Sequence, residues 1–208
     1  MPRLFPGILA MAAIVVASNI LVQFLILDGL LTWGAFTYPL AFLVTDIMNR
    51  VYGAGPARRV VLAGFATGVV CSLIGSQIVG EFGPLVPLRI AVASGMAFLT
   101  AQLLDVSIFN KLREGLWWRA PLVSTLIGSA VDTALFFTIA FAGFISFGSA
   151  PDAAVAWAQD PAPLLLVGPT VPLWITLAVA DWGVKLSIAL IALVPFRLIV
   201  QKIAPDPA

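Results

Sequence analysis

The sequence predicts an all-α, polytopic membrane protein, and three observations support that fold class. The chain has 208 residues, of which 61% are hydrophobic and only 10% are charged. Its mean hydropathy is +1.07. The hydrophobic residues come in successive runs of about 20, the length that an α-helix needs to cross the hydrocarbon core of a bilayer. A soluble domain of this composition would expose a continuous apolar patch, so that class is excluded.

Six runs satisfy this length, and they are separated by turn-forming residues such as Asp28-Gly29, Gly83-Pro84 and Gly115. The first run is longer than the apolar core of a signal peptide, about 7–15 residues, so we interpret it as a retained helix. Together the runs predict a single six-helix transmembrane domain over residues 1–208. The predicted spans are Phe5–Leu27, Leu31–Tyr52, Arg58–Gly80, Leu88–Asn110, Pro121–Phe144 and Val171–Leu193.

The distribution of lysine and arginine predicts the orientation of these spans. Apart from Arg89 and Lys185, the basic residues fall at the chain ends or on alternate connections. Since positively charged connections stay in the cytoplasm, both termini are expected to be cytoplasmic. Residues 146–170 then form an external loop, which we expect to be flexible because it is rich in proline. A short interfacial helix around Ala153–Gln159 is the alternative.

The residue types present exclude several classes of function. Histidine is absent, which removes the commonest general base and zinc ligand. The single cysteine, Cys71, excludes a multi-cysteine metal cluster. There is no G-x-x-x-x-G-K-[ST] motif for a nucleotide and no basic block for a nucleic acid. We therefore predict no catalytic residues, no metal, no cofactor and no nucleic-acid partner; a membrane enzyme would need a nucleophile with a base, or a metal.

Ionisable side chains inside the predicted spans are the strongest indication of function. A charge at the centre of a membrane helix costs about 2.5–3.5 kcal/mol on insertion scales, so it must face other helices or a cavity. Asp181 and Lys185 are spaced i, i+4 and can neutralise each other, which is also a purely structural role. Asp132 has no partner on its own helix, so it must pair across the bundle or be protonated. Asp132 is the strongest functional candidate, followed by Asp105 with Gln102.

Further polar residues recur at helical spacing in the first two spans. Asp46, Asn49 and Arg50 project from one face of span two. Either Asp46 pairs with Arg50 at depth, or Arg50 extends to the lipid headgroups and Asp46 only balances its charge. Asn19 and Gln23, at i and i+4 in span one, add amide groups that could donate and accept hydrogen bonds.

The beginning of span two has an unusual pattern for a membrane helix. Pro39 cannot donate a backbone hydrogen bond and, with Gly34 nearby, predicts a kink or an unwound turn. Broken helices often line the binding site of a transporter. Trp33, Phe36 and Tyr38 could therefore stack on a flat ligand, or they could form an aromatic belt at the outer membrane interface.

The order of these motifs resembles the queuosine precursor transporter family, also called the vitamin uptake transporter family. The similarity extends over all six predicted spans in the same order. Residues 146–170 align with no motif of the family. The motifs that carry the resemblance are Ser18-Asn19, Thr32 to Pro39, Thr45-Asp46-Ile47, Arg50 with Gly53, Ala57-Arg58-Arg59, Gln102-x-Leu104-Asp105, Phe109-Asn110, Trp117-Trp118, Ser124-Thr125 with Gly128, Asp132-Thr133, Phe136-Phe137, and Asp181 with Lys185.

The resemblance implies a six-helix protein of the bacterial inner membrane that takes up 7-cyano-7-deazaguanine and 7-aminomethyl-7-deazaguanine for tRNA modification. The expected partners are then this deazapurine substrate and the lipid bilayer, and homo-oligomerisation is left open. A carboxylate could accept from the guanine-like edge, and an amide or cation could donate to its carbonyl. The expected substrate-binding residues are Asp132, Asp105, Gln102, Asn19, Gln23, Trp33, Phe36, Tyr38, Asp46, Asn49, Asp181 and Lys185.

One alternative assigns the chain to a different kind of transport system. The substrate-binding subunits of energy-coupling-factor importers are also small six-helix proteins, and they contact their partners through small residues on an early helix. Ala13 and Ala17 of span one could supply such a contact. The sequence does not distinguish facilitated diffusion from proton coupling through a carboxylate.

Overall fold

The computed structural model describes residues 4–81 and 83–203, and these residues are mostly helical. Short two-stranded antiparallel hairpins interrupt the helical pattern only in connecting segments: β1–β2, β3–β4 and β5–β6. The helices are α1 Phe5–Leu21, α2 Gly34–Thr37, α3 Leu40–Tyr52, α4 Ala54–Gln77, α5 Leu88–Leu112, α6 Arg119–Phe141, α7 Ser149–Ala153 and α8 Leu173–Ile203. The strands are β1 Leu25–Ile26, β2 Leu31–Thr32, β3 Val79–Gly80, β4 Gly83–Pro84, β5 Pro161–Pro163 and β6 Thr170–Pro172.

Four of the described helices, α4, α5, α6 and α8, are long and apolar enough to cross a membrane, and α1 is a shorter apolar helix of 17 residues. This confirms an all-α membrane protein. The helix ends differ from the predicted spans by several residues. The largest difference is in α8, which was expected to end near Leu193 but continues through Pro195 to Ile203. A proline in a membrane helix is tolerated where neighbouring groups satisfy the backbone.

Predicted span two is divided at its proline, as expected. α2 and α3 are separated by Tyr38 and Pro39, both of which keep helical backbone angles. Pro39 has no N–H, and the next amides, of Ala41 and Phe42, bond to carbonyl groups three residues back instead of four. The tighter turn produces a kink without unwinding the chain. Tyr38 therefore lies at a bend between two helical segments.

The loop over residues 146–170 contains several short elements of secondary structure. It contains α7, a 3₁₀ turn at Ala156–Gln159, and the hairpin formed by β5 and β6. Part of the predicted interfacial helix is thus present as the 3₁₀ turn, while the longer helix over 153–159 is not formed. Gln159 donates a hydrogen bond to the carbonyl oxygen of Phe141, which ties the loop to the end of α6.

Close helix contacts form the core of the bundle. α5 packs along most of α6, α1 packs against α4, and α8 lies against both α6 and α3. Gly64 of α4 allows the contact between α1 and α4 to be close. A Cβ at this position would lie 2.6 Å from the Met11 side chain. Small residues allow this approach because van der Waals contact holds membrane helices together. Gly64 therefore serves the packing of α1 against α4.

Basic side chains gather at one end of the bundle. Arg50, in the last turn of α3, donates to the carbonyl oxygen of Arg113, and Arg113 donates back to the carbonyl oxygen of Arg50 at 3.1 Å. Arg197 of α8 lies 4.6 Å from the centre of the Trp117 ring. We call this the basic end. The three hairpins and α7 lie at the opposite end, which we call the hairpin end.

Candidate functional site

A buried ammonium group connects α6 and α8 in the interior of the bundle. Lys185 Nζ lies 2.7 Å from Asp132 Oδ2 and 2.6 Å from Asp181 Oδ2. It also donates to Thr133 Oγ1 at 2.9 Å. Because Asp181 precedes Lys185 by four residues on α8, both side chains project from one helix face toward α6. A single cation thus balances two carboxylates from different helices.

Tyr38 completes this group from the bend between α2 and α3. Its hydroxyl group points at Asp132 Oδ1 from 3.5 Å, at the outer limit of a hydrogen bond. Its ring lies 5.7 Å from Lys185 Nζ, within cation–π range. Phe98 packs edge-on against the same ring and holds it in place. We call Tyr38, Asp132, Thr133, Asp181 and Lys185 the acid–base cluster.

The acid–base cluster is almost closed to solvent. Lys185 is 4% exposed and Asp132 is 3% exposed. Thr133 Oγ1 donates to Asp181 Oδ2 at 2.9 Å, so the hydroxyl group bridges the lysine and the second carboxylate. The prediction that Asp132 must find a partner across the bundle is confirmed, and so is the i, i+4 pair of Asp181 with Lys185. Asp132 and the Asp181–Lys185 pair thus form one unit, although the sequence analysis considered them separately.

A second set of buried polar groups lies nearer the basic end. Asp46 of α3 accepts hydrogen bonds from Ser124 Oγ at 3.3 Å and from Thr125 Oγ1 at 3.1 Å, both on α6. Asp105 of α5 is fully buried and faces the same part of α6, since a Cβ at Gly128, one turn beyond Ser124, would lie 3.3 Å from Asp105 Cβ. We call Asp46 and Asp105 the aspartate pair. Ser124 precedes Asp132 by eight residues, so the two sets are separated by roughly 12 Å along α6.

Two amide side chains accompany the aspartate pair. Thr45 Oγ1 lies 2.6 Å from Gln102 Oε1, and Asn49 Nδ2 donates to the carbonyl oxygen of Val106 at 2.9 Å. Gln102 Nε2 and Asn49 Oδ1 are buried, and neither has a hydrogen-bond partner among the described residues. The hydrogen bonds from Ser124 and Thr125 add contacts of Asp46 with α6 that neither of its two interpretations with Arg50 included.

The remaining predicted site residues lie away from both sets. Asn19 donates to the carbonyl oxygen of Val15 in its own helix at 2.9 Å. Gln23 lies exposed beyond the end of α1. Trp33 is 53% exposed and Phe36 is 38% exposed, a placement typical of an aromatic belt. Of the three aromatic residues considered, only Tyr38 contacts the acid–base cluster.

The sequence analysis missed Arg89 as a functional candidate. Its side chain is buried beneath the hairpin end, where it donates to the carbonyl oxygens of Ile139 and Ala142 and forms an ion pair with Asp152 at 3.0 Å. Hydrogen bonds from Ser146 and from the Phe147 amide, together with Arg89, hold the pKa of Asp152 below its usual range. The available signal was that Arg89 is the one basic residue that falls on the predicted external side. An arginine there needs an acidic partner nearby.

The cavities are small at the basic end and larger at the hairpin end. A cleft of about 10 Å³ lies between α3, α6 and α8 beside Asp46, lined mostly by apolar side chains. A cavity of about 150 Å³ lies beside Arg89 and Asp152. Binding sites for small molecules usually occupy roughly 300–1,000 Å³. Neither cavity reaches that volume, and the polar side chains of Asp46, Asp132 and Lys185 are buried.

The fold and the buried charges define a class of protein: a multi-pass helical membrane protein with an ionisable centre of the kind found in transporters. The family described as "Putative vitamin uptake transporter" matches residues 32–200, and the chain belongs to this family. The family is one of transporters and not of enzymes. With bacterial relatives and several apolar helices, the protein is a multi-pass protein of the bacterial inner membrane.

Three curated proteins illustrate the similarity. The queuosine precursor transporter of Escherichia coli K12 is 36% identical over 195 residues, which cover 88% of this chain and 79% of the relative. The probable queuosine precursor transporter of Haemophilus influenzae is 39% identical over 140 residues, covering 62% and 57%. The probable queuosine precursor transporter of Bacillus subtilis is 27% identical over 195 residues, covering 84% and 73%. No solved structure gives a significant match.

Proposed function

We propose that this protein imports a queuosine precursor, a 7-deazapurine related to guanine, across the inner membrane. The observation that carries the proposal is the acid–base cluster, in which Lys185 joins Asp132 and Asp181 inside an apolar bundle. Charges at this depth are rare because they are costly, and they commonly mark a pathway or a binding site. The relative that matches 88% of the chain is named a queuosine precursor transporter, which supplies the substrate class.

The proposed topology has six membrane crossings in one domain, with both termini in the cytoplasm. α1, α2 together with α3, α4, α5, α6 and α8 are the six crossings. The kink at Pro39 lets α2 and α3 act as a single crossing of 19 residues' length, close to the thickness of the hydrocarbon core. The basic end then faces the cytoplasm and the hairpin end faces outward, as the positive-inside rule requires.

The acid–base cluster has the groups that a guanine-like edge requires. A carboxylate of Asp132 or Asp181 can accept from adjacent ring and amino N–H groups, and the ammonium of Lys185 can donate to the ring carbonyl. The ring of Tyr38 offers an apolar face for stacking. Binding would replace the internal ion pairs by contacts to the ligand, so no charge would be left without a partner.

Substrate entry requires the bundle to open. The cleft beside Asp46 has a volume of about 10 Å³, enough for about one water molecule. A bicyclic heterocycle needs far more room, so the conformation described here is a closed one. We expect α8 to move relative to α6, since the ion pairs between Lys185 and Asp132 would separate as that interface widens.

Asp132→Asn tests the assignment in cells that cannot make the precursor and are supplied with it externally. The asparagine keeps the size of the side chain but removes the charge that pairs with Lys185. We expect tRNA queuosine to fall to the level of cells without the protein, while membrane expression stays normal. The matched control is Asp160→Asn, an exposed carboxylate of the outer loop, which should retain wild-type queuosine.

Two results would contradict this assignment. Full queuosine in cells with Asp132→Asn would exclude the acid–base cluster as the binding site. Equal queuosine with and without the wild-type protein would exclude the substrate class. Uptake by the purified protein in liposomes would further exclude the energy-coupling-factor alternative, because those subunits need partner proteins to transport.

A further inference from the structure

Asp105 is the least satisfied polar side chain in the described part of the chain. It is fully buried, and neither carboxylate oxygen has a hydrogen-bond partner there. Gln102, one turn earlier on the same face of α5, has a buried amide nitrogen that also has no partner. An ionised carboxylate loses its hydration free energy when it is buried. Without hydrogen bonds from the protein, nothing compensates for that loss. Such a site can persist if it binds a cation as small as a proton.

Close packing holds Asp105 rigidly in this place. Gly128 of α6 faces it, and a Cβ at that position would lie 3.3 Å from Asp105 Cβ and 2.9 Å from the Phe42 ring. The α5–α6 contact therefore leaves no space for a larger ligand beside the carboxyl group. The adjoining cleft beside Asp46 is also limited to about 10 Å³. A heterocycle does not fit here, whereas a proton or one water molecule does.

The basic side chains of the surrounding helices make their contacts on either side of the aspartate pair. Toward the basic end, Arg50 of α3 and Arg113 after α5 bond to each other's backbone carbonyl groups. Toward the hairpin end, Lys185 of α8 is already in contact with two carboxylates. The α8 side chains that line the cleft beside Asp46 are Ile188, Ala189, Ala192, Leu193 and Phe196, and none is charged.

Asp46 is a suitable partner for a shared proton. Its two oxygens accept from the hydroxyl groups of Ser124 and Thr125, which stabilise a negative charge at that position. Two carboxyl groups buried in the same region cannot both ionise cheaply, so one of the two holds a proton. Asp46 then remains the anionic member, and Asp105, without hydrogen bonds, is the member that takes up and releases the proton.

We propose that the aspartate pair, Asp46 and Asp105, is a proton-binding site that couples precursor import to inward proton movement. The proposal rests on the proposed function: the acid–base cluster holds the precursor, and the aspartate pair lies between it and the cytoplasm. A proton from external water forms an O–H bond with Asp105 in the outward-open state. The same bond breaks toward cytoplasmic water in the inward-open state, so each cycle moves one proton and one precursor without other chemistry.

The test uses the purified full-length protein in liposomes, with radiolabelled 7-cyano-7-deazaguanine as an uncharged probe. Valinomycin and equal potassium hold the membrane potential at zero, and the outside is made one pH unit more acidic. With one proton per precursor, we expect the wild-type protein to accumulate the probe about tenfold inside, since one pH unit corresponds to a factor of ten. A pH-sensitive dye should report acidification of the lumen when the probe is added. A protonophore should abolish the accumulation.

Asp105→Asn should reduce the accumulation ratio to one and abolish probe-driven acidification, while the probe still equilibrates across the membrane. Asp105→Glu keeps a proton-binding group and should restore part of the accumulation. Asp160→Asn is again the matched control and should behave as wild type. Asp46→Asn, measured in parallel, should also lower the ratio, which keeps the test informative if Asp105→Asn does not fold.

The outcomes separate this inference from the proposed function. Accumulation that persists in Asp105→Asn would overturn the assignment to the aspartate pair. Equilibration by the wild-type protein without response to the pH gradient, and without lumen acidification, would overturn proton coupling and leave precursor transport intact. Absence of any probe uptake or binding by the wild-type protein would overturn both.

Discussion

Removal of the ammonium group of Lys185 should destabilise the protein more than any other single charge change in the bundle. The side chain is 4% exposed and lies within 2.7 Å of two carboxylate oxygens on two helices. Lys185→Met keeps the length of the aliphatic chain and leaves Asp132 and Asp181 without their cation. Breaking a buried ion pair from one side costs about 3–5 kcal/mol, and here two partners lose their counter-charge. We expect a loss of stability at the upper part of that range.

A second substitution distinguishes the loss of stability caused by the uncompensated carboxylates from a loss caused by poorer packing. Lys185→Met combined with Asp132→Asn removes one of the two stranded carboxylates, so it should recover at least about 1 kcal/mol of the loss. Lys111→Met, an exposed lysine at the end of α5, is the matched control and should change stability by less than about 0.5 kcal/mol.

The assay is reversible unfolding in mixed micelles, followed by tryptophan fluorescence, with uptake in liposomes measured on the same preparations. Uptake should be lost in both the single and the double variant, because neither retains the complete acid–base cluster. The reasoning would be refuted if Lys185→Met lost less than about 1 kcal/mol, or if Asp132→Asn added to the loss instead of relieving it. Either result would mean that the carboxylates are neutral in the folded protein.

Two further perturbations test single contacts of the site and of the outer loop. Thr133→Val removes the hydroxyl group that bridges Lys185 and Asp181. In a binding titration it should weaken precursor binding by about 1–2 kcal/mol, whereas Thr133→Ser keeps the hydroxyl group and should bind as the wild type does. For Asp152, a lowered pKa in the folded state means that its contribution is present at neutral pH and is lost as the pH falls through the folded value, below about 4. Hydrogen exchange at the Phe147 amide should therefore become faster only in acid. The Asp152→Asn variant should show the fast exchange already at pH 7. Equal protection of this amide in the variant would refute the role of Asp152 as the anchor of the loop.

Local patterns in the sequence predict much of this structure because they depend on neighbours along one helix. The apolar runs predict the long helices, Pro39 predicts the kink, and the i, i+4 spacing predicts the contact of Asp181 with Lys185. The excess of arginine and lysine on alternate connections also agrees with the single basic end. In each of these cases the physical cause acts within a few residues.

Contacts between helices could not be predicted in the same way. That Asp132 needs a partner follows from the cost of burial, but the choice of Lys185 depends on how α6 and α8 are placed along each other. The same is true of Asp46, whose partners Ser124 and Thr125 lie 78 and 79 residues away. The order of the outer loop depends likewise on Arg89, which joins α5, α6 and Asp152 across the tertiary structure.

The two ends of the bundle are closed by different interactions, and this difference bears on the transport cycle. At the hairpin end, the buried Arg89 forms an ion pair with Asp152, whose side chain is 29% exposed, so water already reaches one partner of this contact. At the basic end, the buried aromatic side chains of Phe109 and Phe196 pack edge-to-face. Separating the apolar contact requires the exposure of aromatic surface, which the arrival of a precursor at the acid–base cluster would have to offset. We therefore expect the hairpin end, which faces outward in the proposed topology, to open first in the unloaded protein, and the binding of a precursor at the acid–base cluster to favour the opening of the basic end.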